Sequence, residues 1–340
     1  LMTQNLNQNR ERFIRWFAWS LKYKDCDPAI WMTNYLNKRY EHNSEERVWL
    51  CWLYANTYYL PTSWVLKNEF PDYELATIDR ITWWNTHNYR RLRYQTDTKY
   101  NKGHLPKMFE SYQKFIGKRL QKEVLESYYG DNEHQNFDSL WSIINAKYHK
   151  FGRYTTWFYM QSLHSTAGLI LEPSSLMLAD YSGSRSHRNG LVLALDKQDW
   201  YDAKLTKQEY EWLEKEANDI LIEMKIRFPS LVNDINFYTM ETCLCSFKKI
   251  FREHHGRYLG YYLDRQAEEI KQLEQDDWPG IEWNVLWQAR QETLDPRLIL
   301  SNEIDENKFA SFINSGIIDR LYWMFDDEQP VTQGLENLWA

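Results

Sequence analysis

The stretch TKQEYEWLEKEANDILIEM, residues 206–224, decides the fold class because its apolar side chains recur with the period of an α-helix. Four apolar residues spaced three or four positions apart share one face: Leu213, Ala217, Ile220 and Met224. Thr206 and Glu209 have the spacing of a capping box, in which each side chain accepts a hydrogen bond from the other residue's backbone N–H. The stretch therefore predicts one long helix that begins directly after Thr206.

The same period recurs elsewhere in the chain. One further stripe comprises Leu140, Ile144, Tyr148 and Phe151, and another comprises Leu244, Phe247 and Phe251. The sequence shows no series of alternating strands, no heptad run and no repeat of fixed period. Only 9 Pro and 12 Gly occur in 340 residues, which favours long helices over an all-β sandwich. We predict an all-α, multi-helical fold of two packed helical lobes with an acidic C-terminal extension.

Polar segments mark the expected boundaries between these parts. The strongest is YYGDNEHQNFDS, residues 128–139, and a weaker one is DDWPG, residues 276–280. They predict an N-terminal lobe at 1–130, a central lobe at 137–275 and the acidic extension at 276–340. Two separable domains are the alternative.

Aromatic residues make up 16% of the chain, including 17 Trp and 24 Tyr, and we expect many of them to line surfaces. No apolar run is long enough to span a membrane, and the first residues lack the pattern of a signal peptide. These features predict a cytoplasmic protein without a membrane partner.

The cysteines and histidines do not have the spacing of a metal site. Cys26, Cys51, Cys243 and Cys245 include no C-x-x-C pair, and the histidines form no H-E-x-x-H motif. We therefore expect reduced thiols, and we expect no metal site built from protein ligands alone.

Charge is distributed unevenly, although the net charge is only −7. Residues 80–119 contain ten Lys or Arg and two acidic residues, a net charge of +8, whereas residues 264–340 carry a net charge of −11. A basic face of this kind is typical of polyanion binding, whereas an accidental segregation of charge along helices is the alternative. The residues predicted to contact the DNA backbone are Arg90, Arg91, Arg93, Lys99 and Lys102.

A loop rich in Ser, Gly and Arg, LADYSGSRSHRNGL, occupies residues 178–191. Backbone N–H groups that converge ahead of a helix N-terminus form an anion site, and Arg185 and Arg188 add forked donors for phosphate oxygens. A solvated turn between helices is the alternative interpretation.

Three further segments carry candidate chemistry. In FGRYTTWFYMQSL, residues 151–163, Arg153 stands among aromatic rings, either as a packing residue or as a reader of a base and its phosphates. In ETCLCSFKKIF, residues 241–251, one helix face carries Glu241, Cys245 and Lys248, which form either a surface ion pair or an acid/base couple.

The third segment, HGRYLGYYLDR, covers residues 255–265. Its helical stripe comprises Tyr258, Tyr261, Tyr262 and Arg265, with Asp264 beside it. The stripe predicts either a wall for base stacking and phosphate binding or a half-buried core face.

Pro61 follows the apolar segment TYYL and is expected to push residue 60 into an extended conformation. The surrounding Thr57, Thr62 and Trp64 would then form a pocket wall, unless the helix simply ends there.

In combination, the segments EERVWLCWLYANTYYLPTSWVLKNEFPD, FGRYTTWFYMQSL, LADYSGSRSHRNGL and ETCLCSFKKIFREHHGRYLGYYLDR resemble the bacteriophage amino acid:DNA transferases, also called alpha-glutamyl/putrescinyl thymine pyrophosphorylases. The likeness covers about residues 25–270. It implies a step of thymine hypermodification, in which an amine replaces the pyrophosphate of 5-pyrophosphoryloxymethyl-uracil in phage DNA.

The resemblance also implies the partners. These are double-stranded phage DNA carrying the pyrophosphorylated hydroxymethyluracil, a free amino acid such as glycine or a diamine, and a functional link to a hydroxymethyluracil DNA kinase. No cofactor is implied, although a magnesium ion could bridge the pyrophosphate. The DNA base would have to leave the duplex to be reached.

Roles within the matching segments follow from residue chemistry. The candidates for orienting and deprotonating the amine are Glu241 or Asp264, with Asp180 and His187 as alternatives. The expected pyrophosphate ligands are Ser182, Ser184, Arg185 and Arg188, assisted by Arg153 and Lys248. The rings expected to flank the base are those of Trp157, Tyr258 and Tyr261. The remaining substrate-binding candidates are Arg257 and Arg265.

Two other classes of function are compatible with the sequence. A helical DNA glycosylase or a DNA-binding module would flip bases without transferring anything, but neither needs two arginines in a Ser/Gly loop. The other alternative is a structural interaction protein whose aromatic residues form an oligomer interface. In that case the basic segment would have no function.

Overall fold

In a computed structural model, the described residues are 8–22, 24, 26–40, 45–95, 98–180, 185–251 and 262–293. Within these ranges the regular secondary structure is entirely helical, and no strand is present. The predicted all-α fold is therefore confirmed. No described helix is both long enough and apolar enough to cross a lipid bilayer.

Short connections join most of the helices along the chain. The first seven are α1 (Gln8–Lys22), α2 (Pro28–Asn37), α3 (Glu45–Thr57), α4 (Leu60–Glu69), α5 (Ile78–Asn88), α6 (Leu105–Ile116) and α7 (Gln121–Glu126). The next seven are α8 (Glu133–Lys147), α9 (Arg153–Ala167), α10 (Ser186–Ala194), α11 (Lys207–Arg227), α12 (Phe237–Phe247), α13 (Tyr262–Glu274) and α14 (Trp283–Thr293). Short 3-10 helices occur at Lys99–Asn101, Gln198–Trp200, Pro229–Leu231 and Lys248–Phe251.

The capping box predicted at the start of α11 is confirmed. The Thr206 hydroxyl accepts from the Glu209 N–H at 3.3 Å, and the Glu209 carboxylate accepts from the Thr206 N–H at 2.6 Å. All four residues of the predicted apolar stripe are buried. The stripe that begins at Leu140 extends beyond its helix, because α8 ends at Lys147. Its last two residues, Tyr148 and Phe151, follow the helix and are also buried.

Helix α3 is almost completely buried, because its sequence is largely apolar around its whole circumference. All residues from 47 to 57 are buried. It packs against α9, of which only Tyr154, His164 and Ser165 are not buried. A helix that is apolar on every side must lie within the core of a protein, and α3 and α9 form that centre here.

The aromatic residues pack mainly in this core, which corrects the expectation that many of them line surfaces. Trp49 and Trp52 stack with their rings 5.0 Å apart, and Trp52 stacks on Tyr112 at 4.9 Å. Stacked and edge-to-face rings fill wide spaces between helices while keeping favourable ring geometry. The large aromatic side chains that are exposed in the described ranges are Trp83, Tyr100, Tyr128 and Tyr201.

One continuous hydrophobic cluster extends from Phe13 to Trp278 and includes residues of both predicted lobes. In the polar segment at 128–139, residues 128–132 lie in a short turn after α7 and residues 133–139 belong to α8. Both of these helices contribute to that cluster. A smaller cluster joins α14 to α2 and α13.

The extended residue between α3 and α4 lies one position earlier than predicted from Pro61. Tyr59 has the extended backbone, whereas Leu60 already belongs to α4 and Pro61 occupies the first turn. The nearby hydroxyls of Thr57 and Thr62 are buried and hydrogen-bonded within the protein. Thr57 is hydrogen-bonded to Ser63 at 2.6 Å, and Thr62 donates to the Arg93 carbonyl at 2.6 Å.

Helices α10 and α12 approach each other more closely than side chains would allow. A Cβ atom added to Gly190 on α10 would overlap the backbone carbonyl of Leu244 on α12. Glycine at this position therefore sets the distance between the two helices, because a backbone carbonyl cannot rotate aside as a flexible side chain can.

We predict that Gly190→Ala destabilises the protein. Alanine favours an α-helix by about 1 kcal/mol over glycine, but the overlap forces the helices apart and disrupts the packing around them. Overpacking of this kind costs about 1–3 kcal/mol, so the free energy of unfolding should fall in urea titrations. Gly103→Ala is the control, since an added Cβ there meets no atom within 4 Å. Equal stability of Gly190→Ala and wild type would contradict the close helix contact.

Candidate active site

Three side chains that are far apart in the sequence meet in the interior where α9, α10 and α12 converge. Arg153 begins α9, His187 lies in the first turn of α10, and Glu241 lies on α12. The Arg153 guanidinium lies 2.9 Å from His187 Nε2, and His187 Nδ1 lies 3.4 Å from Glu241 Oε1. All three are buried, with at most 4% of each residue exposed. The result is a buried line from a cation through an imidazole to a carboxylate.

The surroundings of His187 fix its protonation state. Burial, followed by the positive charges of Arg153 and Arg188, holds the pKa of His187 well below its usual range. Because the Arg153 guanidinium can only donate, the neutral ring accepts at Nε2 and carries its proton on Nδ1. Nδ1 lies 3.4 Å from Glu241 Oε1, a distance at which the proton is near the carboxylate but does not form an ordinary hydrogen bond with it.

The loop before α10 is anchored by a carboxylate of α11. Glu214 accepts from the backbone N–H groups of Leu176 and Leu178 at 2.9 and 2.6 Å. The Leu176 carbonyl in turn accepts from Arg153 at 2.9 Å. Asp180 lies further along this loop, with a carboxylate oxygen 3.9 Å from Arg153 Nε. The loop therefore holds Arg153 in place from a second side.

Positive groups gather at the N-terminus of α10, which begins directly after the Ser/Gly loop as the sequence predicts. Lys248 donates to the Ser186 hydroxyl at 2.5 Å, and Arg185 is exposed at the residue before the helix. Exposed helix N-termini favour anions because of their N–H groups and the helix dipole. Lys248 and Arg185 therefore stand where a phosphate group could reach the helix.

Two predicted substrate ligands are buried in structural positions. Arg188 is 1% exposed and donates to the Tyr210 hydroxyl at 2.8 Å, so it links α10 to α11. Trp157 is also 1% exposed, and its ring packs against Phe137 and Tyr238. Both side chains therefore have structural partners in this arrangement, and the expectations that Arg188 holds pyrophosphate and that Trp157 flanks the base stay predictions.

Several predicted site residues lie outside the part of the chain that the structure describes. These are Ser182, Ser184, Arg257, Tyr258 and Tyr261, together with the side chains of Asp264 and Arg265. The alternative catalytic carboxylate, Asp264, therefore stays a prediction.

His187, Glu241 and Cys245 bring three potential metal-ligand atoms within 4.8 Å of one another. Their chemistry nevertheless suits proton transfer better than a metal ion. Burial, followed by the negative charge of Glu241, raises the pKa of the Cys245 thiol well above its usual range, which opposes formation of a thiolate ligand. The neighbouring Arg153 also supplies the positive charge that a metal would otherwise provide.

A second buried carboxylate, Asp27, was not singled out from the sequence. It accepts hydrogen bonds from Tyr58 at 2.7 Å, Gln161 at 2.8 Å and Thr242 at 2.6 Å. Asp27 precedes Pro28, a pattern that indicates a helix start, but its side chain does not cap α2. It instead ties the start of α2 to the end of α3, to α9, and to α12 beside Glu241.

All five residues predicted to contact DNA line one cavity of about 640 Å³. They are Arg90, Arg91, Arg93, Lys99 and Lys102. The exposed ring of Tyr100 lies beside Lys99, whose ammonium is 5.1 Å from the ring centroid. A concave basic surface with an accessible ring has the composition of a nucleic-acid contact.

Two of these arginines also hold the start of the acidic segment. Arg91 donates to the carbonyls of Asp276 and Asp277 at 2.6 and 2.9 Å, and it stacks over Trp278 at 4.0 Å. Arg93 pairs with the Asp276 carboxylate at 3.4 Å. At this turn the basic and acidic segments are therefore in contact, rather than on separate sides of the molecule.

We predict that the buried neutral His187 makes the fold sensitive to acid. Below the ordinary pKa of 6.5 the unfolded chain binds a proton here that the folded chain does not. The free energy of unfolding should therefore fall with decreasing pH by up to about 1.4 kcal/mol per pH unit from this group. Urea titrations between pH 7 and 5 should show a smaller loss for His187→Asn than for wild type. Parallel pH profiles of the two proteins would contradict a neutral His187.

Comparison with known proteins identifies a similar phage protein. The chain is similar to a serinyltransferase of Salmonella phage ViI, with 27% identity over 263 residues, which cover 72% of this chain and 63% of that protein. It therefore spans less than two thirds of the relative's length. No solved structure matches the chain.

The family comparison covers the part of the chain that builds the buried site. A model of the amino acid:DNA transferase family matches residues 9–255. This range contains Arg153, His187 and Glu241 as well as the basic cavity's arginines and lysines, and it ends before Tyr258. The chain therefore belongs to the amino acid:DNA transferase family.

Proposed function

We propose that this protein transfers an amino acid to the methylene carbon of 5-pyrophosphoryloxymethyl-uracil in phage DNA and releases pyrophosphate. The observation that carries the proposal is the buried line of Arg153, His187 and Glu241 beside the N-terminus of α10, within the region that matches the family. The line supplies a base for the amine, and the helix terminus supplies an anion site for the leaving group.

Glu241 is the proposed proton acceptor. The neutral amine nitrogen attacks the methylene carbon, and the carbon–oxygen bond to pyrophosphate breaks with the electron pair leaving on oxygen. The nitrogen then gives one proton to the Glu241 carboxylate. The His187 imidazole lies beside this carboxylate, with Nδ1 3.4 Å from its Oε1, and Arg153 holds the imidazole in the required tautomer.

The leaving pyrophosphate is assigned to the N-terminus of α10. Negative charge grows on its oxygens as the bond breaks, and fixed positive groups lower the free energy of that transition state. Arg185 and Lys248 are the described side chains best placed for this role. A magnesium ion carried by the pyrophosphate is compatible with the arrangement.

The basic cavity is the proposed contact with the DNA backbone. Among the basic residues of the cavity, three have side chains that do not contact the acidic turn at 276–278: Arg90, Lys99 and Lys102. Phosphate contacts of this kind position the duplex without reading its sequence. In this proposal a hydroxymethyluracil DNA kinase acts first, because its reaction installs the pyrophosphate that the amine replaces.

We predict that Glu241→Gln loses transfer but keeps DNA affinity. Glutamine preserves the shape and an acceptor for His187, but it cannot take the amine proton, so transfer should fall by about 10²- to 10⁴-fold. The assay uses duplex DNA carrying 5-pyrophosphoryloxymethyl-uracil and a panel of amines, followed by digestion and nucleoside mass spectrometry. Serine is the first amine to test, given the name of the phage ViI relative, and glycine and diamines follow.

The control for this variant is Glu211→Gln, an exposed glutamate of α11. It removes one carboxylate at the surface and should transfer at the wild-type rate. Wild-type transfer by Glu241→Gln would remove Glu241 from the reaction. Abasic sites in place of an aminated nucleoside would favour the glycosylase alternative.

We predict that Arg90→Gln combined with Lys99→Gln weakens binding to duplexes of any sequence. Each phosphate contact releases condensed counterions, so losing two contacts should reduce the slope of log affinity against log salt by about 1.8. Fluorescence anisotropy over a range of salt concentrations measures both quantities. Arg91 and Arg93 are left intact because they hold the 276–278 turn.

The matched control for this pair is Lys207→Gln with Lys215→Gln. It also removes two exposed positive charges, but from α11, where each lysine pairs with an acidic residue one turn away. The control should bind as wild type does. An unchanged salt slope for the Arg90 and Lys99 variant would place the DNA path elsewhere.

A further inference from the structure

A second basic groove lies where α6 meets the end of α8. Its volume is about 640 Å³. The side chains that define its chemistry are Lys107, Lys114, Phe115, Tyr128, Lys147 and His149. None of these residues belongs to the buried line or to the first basic cavity.

The groove is electrostatically positive. Its three lysines are exposed, and its single carboxylate, Glu110, pairs with Lys114 at 2.7 Å. Both partners of this pair are exposed, so the interaction is weak and a phosphate group can replace the carboxylate. Burial is the main cause that lowers the pKa of His149, and the positive charge of His104 and nearby lysines adds to it.

An aromatic platform stands at the edge of the groove. The rings of Phe115 and Tyr128 stack 5.5 Å apart with an angle of 22°, and Tyr128 is 36% exposed. Bases in a duplex stack on each other, so their faces are hidden, whereas an unpaired base offers its face to a protein ring. Lysines beside an accessible aromatic ring are therefore typical of surfaces that bind single strands.

The segment before α6 connects the two basic surfaces. Lys102 lines the first cavity, and Lys107, five residues later, lines the groove. Between them, the His104 ring lies 5.6 Å from the ring of His149, which also lines the groove. The two surfaces are therefore joined through residues 102–107.

We propose that this groove binds an unpaired stretch of DNA strand that adjoins the duplex held in the first cavity. Lys107, Lys114 and Lys147 contact successive phosphates, and one base stacks on the outer face of Tyr128. The inference rests on the proposed function only in taking DNA as the partner. It does not depend on which group is transferred or on the identity of the catalytic base.

The test compares a blunt duplex with the same duplex carrying a single-stranded oligothymidine overhang, using fluorescence anisotropy and the wild-type chain of 340 residues. Wild type should bind the overhang substrate more tightly. Tyr128→Ala should lose this advantage, by about 5- to 150-fold for one stacked base, while Tyr128→Phe should keep it because the ring remains. Lys114→Gln with Lys147→Gln should reduce the salt dependence of overhang binding.

The controls separate this inference from the rest of the mechanism. The Lys207 and Lys215 double variant should keep the wild-type preference for the overhang, and circular dichroism should show that Tyr128→Ala is folded. Equal affinity of wild type for the two substrates would overturn the inference, as would an unchanged preference in folded Tyr128→Ala. If the wild-type protein bound the overhang as expected but transferred no amine, that result would contradict the proposed function and leave the inference about the groove intact.

Discussion

The close contact between α10 and α12 is the constraint on which the buried site depends. Gly190 lies one turn after His187 on α10, and Leu244 lies one turn after Glu241 on α12. The backbone contact at Gly190 and Leu244 therefore fixes the separation of the imidazole and the carboxylate one turn away. A larger residue at 190 would widen the gap between His187 and Glu241, so packing and chemistry are set by the same crossing.

Burying a cation and a carboxylate together is unfavourable unless their polar atoms are satisfied. The protein meets part of this requirement by placing a neutral imidazole between them and by giving Arg153 the Leu176 carbonyl as a second acceptor, with the Asp180 carboxylate 3.9 Å from Arg153 Nε. Glu214 holds that part of the loop through two backbone N–H groups. The charged line is thus supported by residues that have no direct part in the proposed reaction, which keeps its geometry fixed before substrate binds.

Charges on the positive surface interact more weakly than those of the buried site, because their side chains are in contact with water. Arg91 and Arg93 hold the turn at 276–278, so the acidic segment begins inside the basic cavity and neutralises part of it. Arg90 and Lys99 stay exposed there, Lys102 is half-buried, and the lysines along α6 are exposed. Long-range attraction to a polyanion survives this arrangement, since exposed pairs contribute little and exchange readily.

The sequence by itself determined the helical class, the start of α11 at its capping box, and the segments in which charged and catalytic residue types concentrate. These features are local, because period, capping and composition act over a few turns of chain. Only the tertiary structure decided that Glu241 faces His187, that Arg188 is bound to Tyr210, that Trp157 lies in the core, and that Asp27 ties four helices together. Such partnerships depend on how helices cross, and crossing geometry arises from packing between residues that are distant in the sequence.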